Sequence, residues 1–240
     1  MRTTLITGSS GDIGAAIAKA LAAPGQQLYL HYHQGEAEAE KVRAHCEKQG
    51  AKAALIGANL QATEDLDALF ASVHGPVDHL VFANGQSYYG LFTDMGDEEL
   101  VDLVTLNVTA PMRIVKHFLP PMISQKYGRI VALSSIWGDV GAACEVAYSA
   151  AKGGLNQFVR ALAKEVAPSN ITVNGVAPGV VDTKMMDAFS SEEKTELKGA
   201  IPAGRFGTVE EVAGACSYLL GPEAGYINGH VLSVNGAWGG

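Results

Sequence analysis

The chain has 240 residues, 48% of them hydrophobic and 18% charged, with a formal net charge of -8, which suits one α/β domain over 1–240 with a large buried core. An acidic balance without a basic stripe excludes a nucleic-acid backbone as partner, and no stretch is long and apolar enough to span a bilayer. Cys46, Cys144 and Cys216 are widely spaced and match neither a disulfide framework nor a zinc site, so the expectation is a cytoplasmic protein without a metal, in which Cys144 is a small buried thiol.

Short β-rich runs alternate with helical patterns from one end to the other. A strand at Thr3 to Thr7 empties into the glycine-rich turn Gly8-Ser-Ser-Gly-Asp-Ile-Gly, and a helix is predicted over Ile13 to Ala23. Glycines at such a junction permit a tight turn and close approach of a pyrophosphate, which the helix N-terminus then holds through its unpaired N–H groups. A strand at Gln27 to His31, a helix over Glu36 to Gln49, a strand at Ala53 to Ile56 and a helix over Thr63 to Val73 follow. The fourth strand, His79 to Ala83, precedes one long helix over Glu98 to Leu119, and the fifth, Arg129 to Leu133, leads through a loop into a helix over Val146 to Val166. Between the last strands, Thr172 to Val176 and His230 to Val234, lies a helix over Val209 to Leu220. Before that helix, the polar segment 182–207, with a short helical pattern around Glu192 to Lys198, reads as a lid over a site. Pro24, Pro120, Pro168 and Pro222 read as helix stops. Nearly continuous apolar strands separated by helices imply a single-domain, Rossmann-type, doubly wound parallel sheet of about seven strands with helices on both faces.

The chemistry centres on Tyr148 and Lys152, whose spacing puts a phenol and an ammonium on one helix face. A cation held near a phenol favours the phenolate, so Lys152 is expected to depress the ionisation of Tyr148 toward useful acid/base work. Ser135 lies upstream at the end of an apolar strand, where an open α/β sheet places its reacting groups.

Over essentially its whole length the chain resembles the short-chain dehydrogenase/reductase family. The family's Thr-Gly-x-x-x-Gly-x-Gly falls on Thr7 to Gly14, its catalytic set on Asn107, Ser135, Tyr148 and Lys152, and its Pro-Gly-x-x-x-Thr segment on Pro178, Gly179 and Thr183. The resemblance implies reduction of a ketone by a nicotinamide hydride, with Tyr148 protonating the alkoxide, Ser135 polarising the carbonyl, Lys152 holding the nicotinamide ribose and Asn107 positioning a proton-relaying water. It further implies a cofactor site built from Gly8, Ser10, Asp12, Ile13, His33, Asn59, Leu60, Asn84, Gly85, Tyr148, Lys152, Pro178, Gly179, Val181 and Thr183, and a homotetramer or homodimer paired through the long helices. The chain departs from the family where Asp12 replaces the turn's usual second glycine, where Phe82-Ala83-Asn84-Gly85 replaces Asn-Asn-Ala-Gly, and where Asn59 replaces an aspartate.

The stretch His31-Tyr32-His33-Gln34 carries no acid, and lack of repulsion to a 2′-phosphate favours NADPH over NADH. The broad resemblance within the family is to 3-oxoacyl-[acyl-carrier-protein] reductases, whose substrate is a carrier-linked ketone. A narrower one, in strings such as Gly85-Gln-Ser-Tyr-Tyr-Gly and Ser135-Ile-Trp-Gly, is to bacterial reductases of an amino-ketone on modified elongation factor P. Asp139 and Glu145, flanking the loop before Tyr148, are the candidates for meeting a cationic substrate end.

Overall fold

Apolar residues that alternate along each strand are drawn to opposite faces of one sheet. The computed structural model describes residues 2–239, with Ala188 by its backbone alone. Among these, a seven-stranded parallel sheet runs β3-β2-β1-β4-β5-β6-β7. Its strands are β1 (Arg2–Thr7), β2 (Gln26–Tyr32), β3 (Lys52–Gly57), β4 (His79–Phe82), β5 (Gly128–Leu133), β6 (Ile171–Pro178) and β7 (Val231–Val234). Around it pack α1 (Asp12–Leu21), α2 (Glu36–Lys48), α3 (Thr63–Ser72), α4 (Asp97–Val104), α5 (Ala110–Gln125), α6 (Trp137–Val140), α7 (Val146–Val166), α8 (Ser191–Ala200) and α9 (Val209–Leu220).

The period-two geometry of a strand explains why the runs read as continuously apolar. Leu5, Leu80, Phe82, Ile130 and Ala132 enter one core with α3, α5 and α7. Ile6, Val81, Val131 and Leu133, their sequence neighbours, enter the other with α1, α2 and α9. The strand order reverses between β1 and β4, so the crevice at their C-terminal ends is the place where such a sheet takes a ligand.

Three expectations are corrected. The single long helix predicted over Glu98 to Leu119 is α4, a π-helical turn at Thr105–Thr109 and then α5. Pro120 and Pro121 lie inside α5 instead of ending it. Both prolines are exposed, and the i, i+4 series Ile114, Phe118 and Met122 stays buried on the sheet, so packing of that face holds the helix through two missing N–H donors. The lid is also less irregular than its polarity suggests. It contains a 3-10 turn at Lys184–Ala188 and α8, whose N-cap Ser190 forms a capping box with Glu193. Met186, Ile201 and Phe206 form a small core there, against Val180, Leu197 and Trp238.

Candidate active site

The four predicted catalytic residues converge at the C-terminal end of the sheet from three elements. Ser135 follows β5, Tyr148 and Lys152 lie on successive turns of α7, and Asn107 sits in the π turn. A π turn displaces one residue from the helical ladder, and here it carries Asn107 inward until it is 1% exposed. Its Nδ2 donates to Gln86 O at 3.0 Å and Leu103 O at 2.9 Å, while Oδ1 is buried without a partner among the described residues. A Cβ at Gly85 would lie 3.1 Å from that Oδ1 and 3.4 Å from Lys152 Nζ. Gly85 therefore keeps open a small space bounded by an acceptor and a cation.

Ser135 Oγ accepts from Trp137 N at 3.2 Å, and the hydroxyl lies near enough to the Tyr148 phenol to lower it slightly. Lys152 is 3% exposed, donates from Nζ to Leu133 O at 2.9 Å and lies 5.6 Å from the centroid of the Tyr148 ring. Its ammonium thus lies beside the phenol ring. The net shift of the phenol is upward, opposite in direction to the lowering expected. Burial and the Glu145 carboxylate push Tyr148 up to about 12, against a smaller lowering by Ser135, and burial alone pulls Lys152 down to about 8. At neutral pH the pair is a protonated phenol beside an ammonium.

Of the two acids, Glu145 stands next to the catalytic phenol. It is half-buried, burial raises its carboxyl, and the Trp137 indole N–H partly opposes that rise. Asp139 is otherwise engaged: its Oδ1 accepts from Asn156 Nδ2 at 3.1 Å and faces Arg160 at 3.5 Å. Asn156 in turn accepts from the Ser134 hydroxyl. Asp139 fastens α6 to α7 through Oδ1 on an exposed side chain. Cys144 is not the buried thiol expected. It is partly exposed in a left-handed conformation, φ 63°, and its carbonyl accepts from Gly90 N at 2.9 Å.

The turn after β1 fits a dinucleotide pyrophosphate. Gly14 lies so close to Gly8 that a Cβ there would be 2.2 Å from Gly8 O, and Gly8 itself has φ 68° against Asn84. The open side is left to Gly11 and to the first-turn N–H groups of Asp12 and Ile13, which have no intrahelical acceptor. The Asp12 carboxylate points elsewhere, accepting from Lys184 N at 2.8 Å. Ser10 abuts Gly35, where a Cβ would be 3.0 Å from its Oγ, so this turn meets the one after β2 that carries the exposed His33. Residues 31–34 carry no acid; the nearest in sequence is Glu36, and burial together with that carboxylate raises the Tyr32 phenol.

Asn59 Oδ1 is used by Gln61 N at 3.0 Å, and its own N–H is held by Asp65 at 2.6 Å. Leu60 is 2% exposed, its side chain in the core, which leaves only its backbone for a ligand. Asn84 accepts from Thr7 and donates to Leu106 O at 2.8 Å, linking β1, the β4 loop and the π turn. Pro178 ends β6 and accepts from Ile136 N, Gly179 N donates to Val234 O, Val181 bridges Gly207 at the base of the lid, and Thr183 precedes the lid's 3-10 turn. Sequence reasoning missed His31. Its Nδ1 accepts from Gly8 N at 3.1 Å and its Nε2 meets Ala58 O at 2.9 Å, so one buried, neutral ring joins the phosphate turn to the loop after β3. A histidine at a strand end, in a position that reads as apolar, is the only signal it offered. Among the described residues no acid, histidine or cysteine cluster could hold a metal, and no helix is long and apolar enough to cross a membrane.

With this geometry in hand, comparison with known proteins is specific. The profile of the family described as "Enoyl-(Acyl carrier protein) reductase" matches residues 8–238. An uncharacterized oxidoreductase, YmfI, of Bacillus subtilis is 46% identical over 99% of this chain and 98% of its own length. The 3-oxoacyl-[acyl-carrier-protein] reductase FabG of Aquifex aeolicus is 37% identical over 98% of this chain and 96% of its own. Among solved structures, a 3-oxoacyl-[acyl-carrier protein] reductase of Brucella melitensis superposes with a TM-score of 0.93 at 26% identity, covering 100% of this chain and 91% of that one. An actinorhodin polyketide ketoreductase variant with NADPH gives a TM-score of 0.93 at 31% identity, covering 99% and 97%.

Proposed function

From the premise that the chain belongs to the short-chain dehydrogenase/reductase family, we propose that it is an NADPH-dependent ketoreductase acting on a ketone presented by a carrier or thioester. The observation that carries this reading is the convergence of Ser135, Tyr148, Lys152 and Asn107 around one space beside Gly85, at the end of the sheet that also forms the pyrophosphate turn. A dinucleotide bound along that turn supplies the hydride. Ser135 donates a hydrogen bond to the substrate carbonyl, which strengthens as charge builds on oxygen. Tyr148 then gives its proton to the alkoxide. An alkoxide is far more basic than a phenolate, so a phenol at about 12 still donates downhill. Lys152 stabilises the phenolate left behind and holds a ribose hydroxyl, while Asn107 Oδ1 accepts from the group that returns a proton through Lys152.

The preference for NADPH is supported by the lack of a carboxylate at His33 and Gln34 after β2 and by the NADPH carried by the actinorhodin enzyme. Glu36, the first residue of α2, is the acid that would oppose a 2′-phosphate near that turn, and Glu36→Gln is expected to strengthen the preference. A homotetramer or homodimer is part of the reading, supported by the exposed Val101, Val104 and Met112 on α4 and α5. A reducing cytoplasm is supported by three free cysteines.

A second reading, reduction of an amino-ketone on a modified lysine of elongation factor P, is favoured by the half-buried Glu145 carboxylate beside Tyr148. The deciding experiment compares turnover of an acetoacetyl thioester and of the amino-ketone, each with NADPH and NADH, in the native enzyme and in Glu145→Gln. The primary reading predicts efficient thioester reduction, little changed by the substitution. If the amino-ketone is the substrate, its KM rises in Glu145→Gln by the value of a charge-assisted hydrogen bond, about 1.5 to 3 kcal/mol. Turnover of neither would overturn both.

A further inference from the structure

Asp12 stands where the phosphate turn of the family has a glycine, and no step of the reaction uses its side chain. It is the first residue of α1, so its backbone N–H belongs to the pyrophosphate cradle. Its carboxylate reaches across 172 positions of sequence to accept from Lys184 N at 2.8 Å. Lys184 opens the 3-10 turn of the lid, and the residue before it, Thr183, makes no side-chain cap of its own. The N–H of the turn's first residue, which has no acceptor within the turn, is thus satisfied from the cofactor helix.

The rest of the lid shows why this contact matters. At its base the lid is tied by Asp182 N to Gly207 O and Gly207 N to Val180 O, both 2.9 Å. Beyond Lys184 it rests on the small core of Met186, which belongs to the same 3-10 turn, with Ile201 and Phe206. Between the two, behind Lys184, lies an open groove of about 460 Å³ between α1, the lid and the start of α9. Asp182, Asp187 and Glu210 line it together with Lys19 and Lys184. The groove leaves the Lys184 side of the first lid turn open while Met186 anchors its other side in that core, and the Asp12 hydrogen bond spans the groove's edge. A glycine at this position has no side chain with which to make that bond.

We propose that Asp12 is a latch that fastens the substrate lid to the cofactor helix, a positioning residue for the ketone and not a side-chain ligand of the cofactor. A pyrophosphate on the first turn of α1 repels the carboxylate toward Lys184, so cofactor binding tightens the latch, and by linkage a closed lid strengthens cofactor binding. The latch thereby couples the two halves of the site.

The test removes each side of the bond separately. Asp12→Ala removes the acceptor and Asp12→Asn retains one. Lys184→Pro removes the donor at the first position of a helical turn, where proline is tolerated and the extended Thr183 suits it, and Lys184→Ala keeps the N–H. Amide hydrogen exchange of segment 184–188 is followed with and without NADP⁺, with α9 as internal reference for global unfolding. Exchange is expected to be about 10-fold faster in Asp12→Ala and in Lys184→Pro, near native in Asp12→Asn and Lys184→Ala, and no faster in the Asp12→Ala, Lys184→Pro double variant than in either alone. The ketone KM rises several-fold in the two latch-breaking variants while the NADP⁺ dissociation constant does not weaken by more than about 3-fold. Native exchange in both latch-breaking variants overturns the proposal, as does a large loss of NADP⁺ affinity in Asp12→Ala with the ketone KM unchanged. Should Asp12→Ala not fold, the Lys184 pair decides alone. The exchange readout needs no ketone, so its failure is separate from a failure of the ketoreductase reading.

Discussion

Lys152 sets the pH range of the reaction. Burial lowers it to about 8 while Tyr148 is raised to about 12, so the cation is the group that titrates first as pH rises. The turnover number is expected to hold through neutral pH and to fall as pH passes about 8, as Lys152 loses the proton with which it stabilises the phenolate. A profile flat to well above that value would show that the buried amine keeps its charge or is not needed. His31 supplies a second prediction at this scale. His31→Leu removes both ring nitrogens from the phosphate turn and should raise the NADPH KM several-fold with a smaller change in turnover, measured by steady-state kinetics. Tyr148 and Lys152 were readable from helical spacing and Ser135 from a strand end, whereas Asn107 entered only through the family resemblance. Partnerships closed by the fold were not readable: His31 with Gly8, Asp139 with Arg160 and Asp12 with Lys184 join residues whose proximity no periodicity encodes.

The junction of α6 and α7 shows the same limit in an element. Gly138 lies so near Lys152 that a Cβ would be 2.9 Å from its carbonyl carbon and 2.9 Å from Asn156 Nδ2. Gly138→Ala should therefore push α6 off α7, costing about 1 to 3 kcal/mol of stability and lowering turnover through Ser135 and Lys152, as read by denaturant melts and kinetics on one preparation. Wild-type stability and rate in that variant would show that the junction has slack. Nothing in Trp137-Gly138-Asp139 announces this contact, just as nothing in Thr105-Leu-Asn-Val-Thr announces a π turn. Apolar periodicity carried the α7 and α9 boundaries unchanged, because both are long amphipathic helices against the sheet. It overran the π turn, since one inserted residue shifts the face by less than the width of the apolar stripe.

The whole molecule was the most legible level, because a doubly wound sheet follows from alternating elements and a handedness rule, not from any one contact. Its stability should carry a pH signature. His31 and His79 are 2% and 5% exposed, and burial lowers each to about 4. The unfolded chain binds a proton at each near pH ~6.5, so the stability due to keeping them neutral is full above that value and is lost as pH falls toward about 4. Each contributes on the order of 3 kcal/mol. Denaturation midpoints measured from pH 7.5 down should fall across this window, less steeply in His79→Gln, and an unchanged slope in that variant would remove His79 from the explanation.

The measurement closest to the central claim is ketone reduction by Tyr148→Phe, which keeps the ring over which Lys152 sits and deletes only the transferable proton. The account predicts that NADPH oxidation with an acetoacetyl thioester falls by at least about 100-fold, the scale of losing one such donor in the transition state, while NADPH affinity by fluorescence titration stays within a factor of about 3. Turnover within a factor of about 10 of the native enzyme, at unchanged cofactor affinity, would contradict the assignment of Tyr148 as the proton donor.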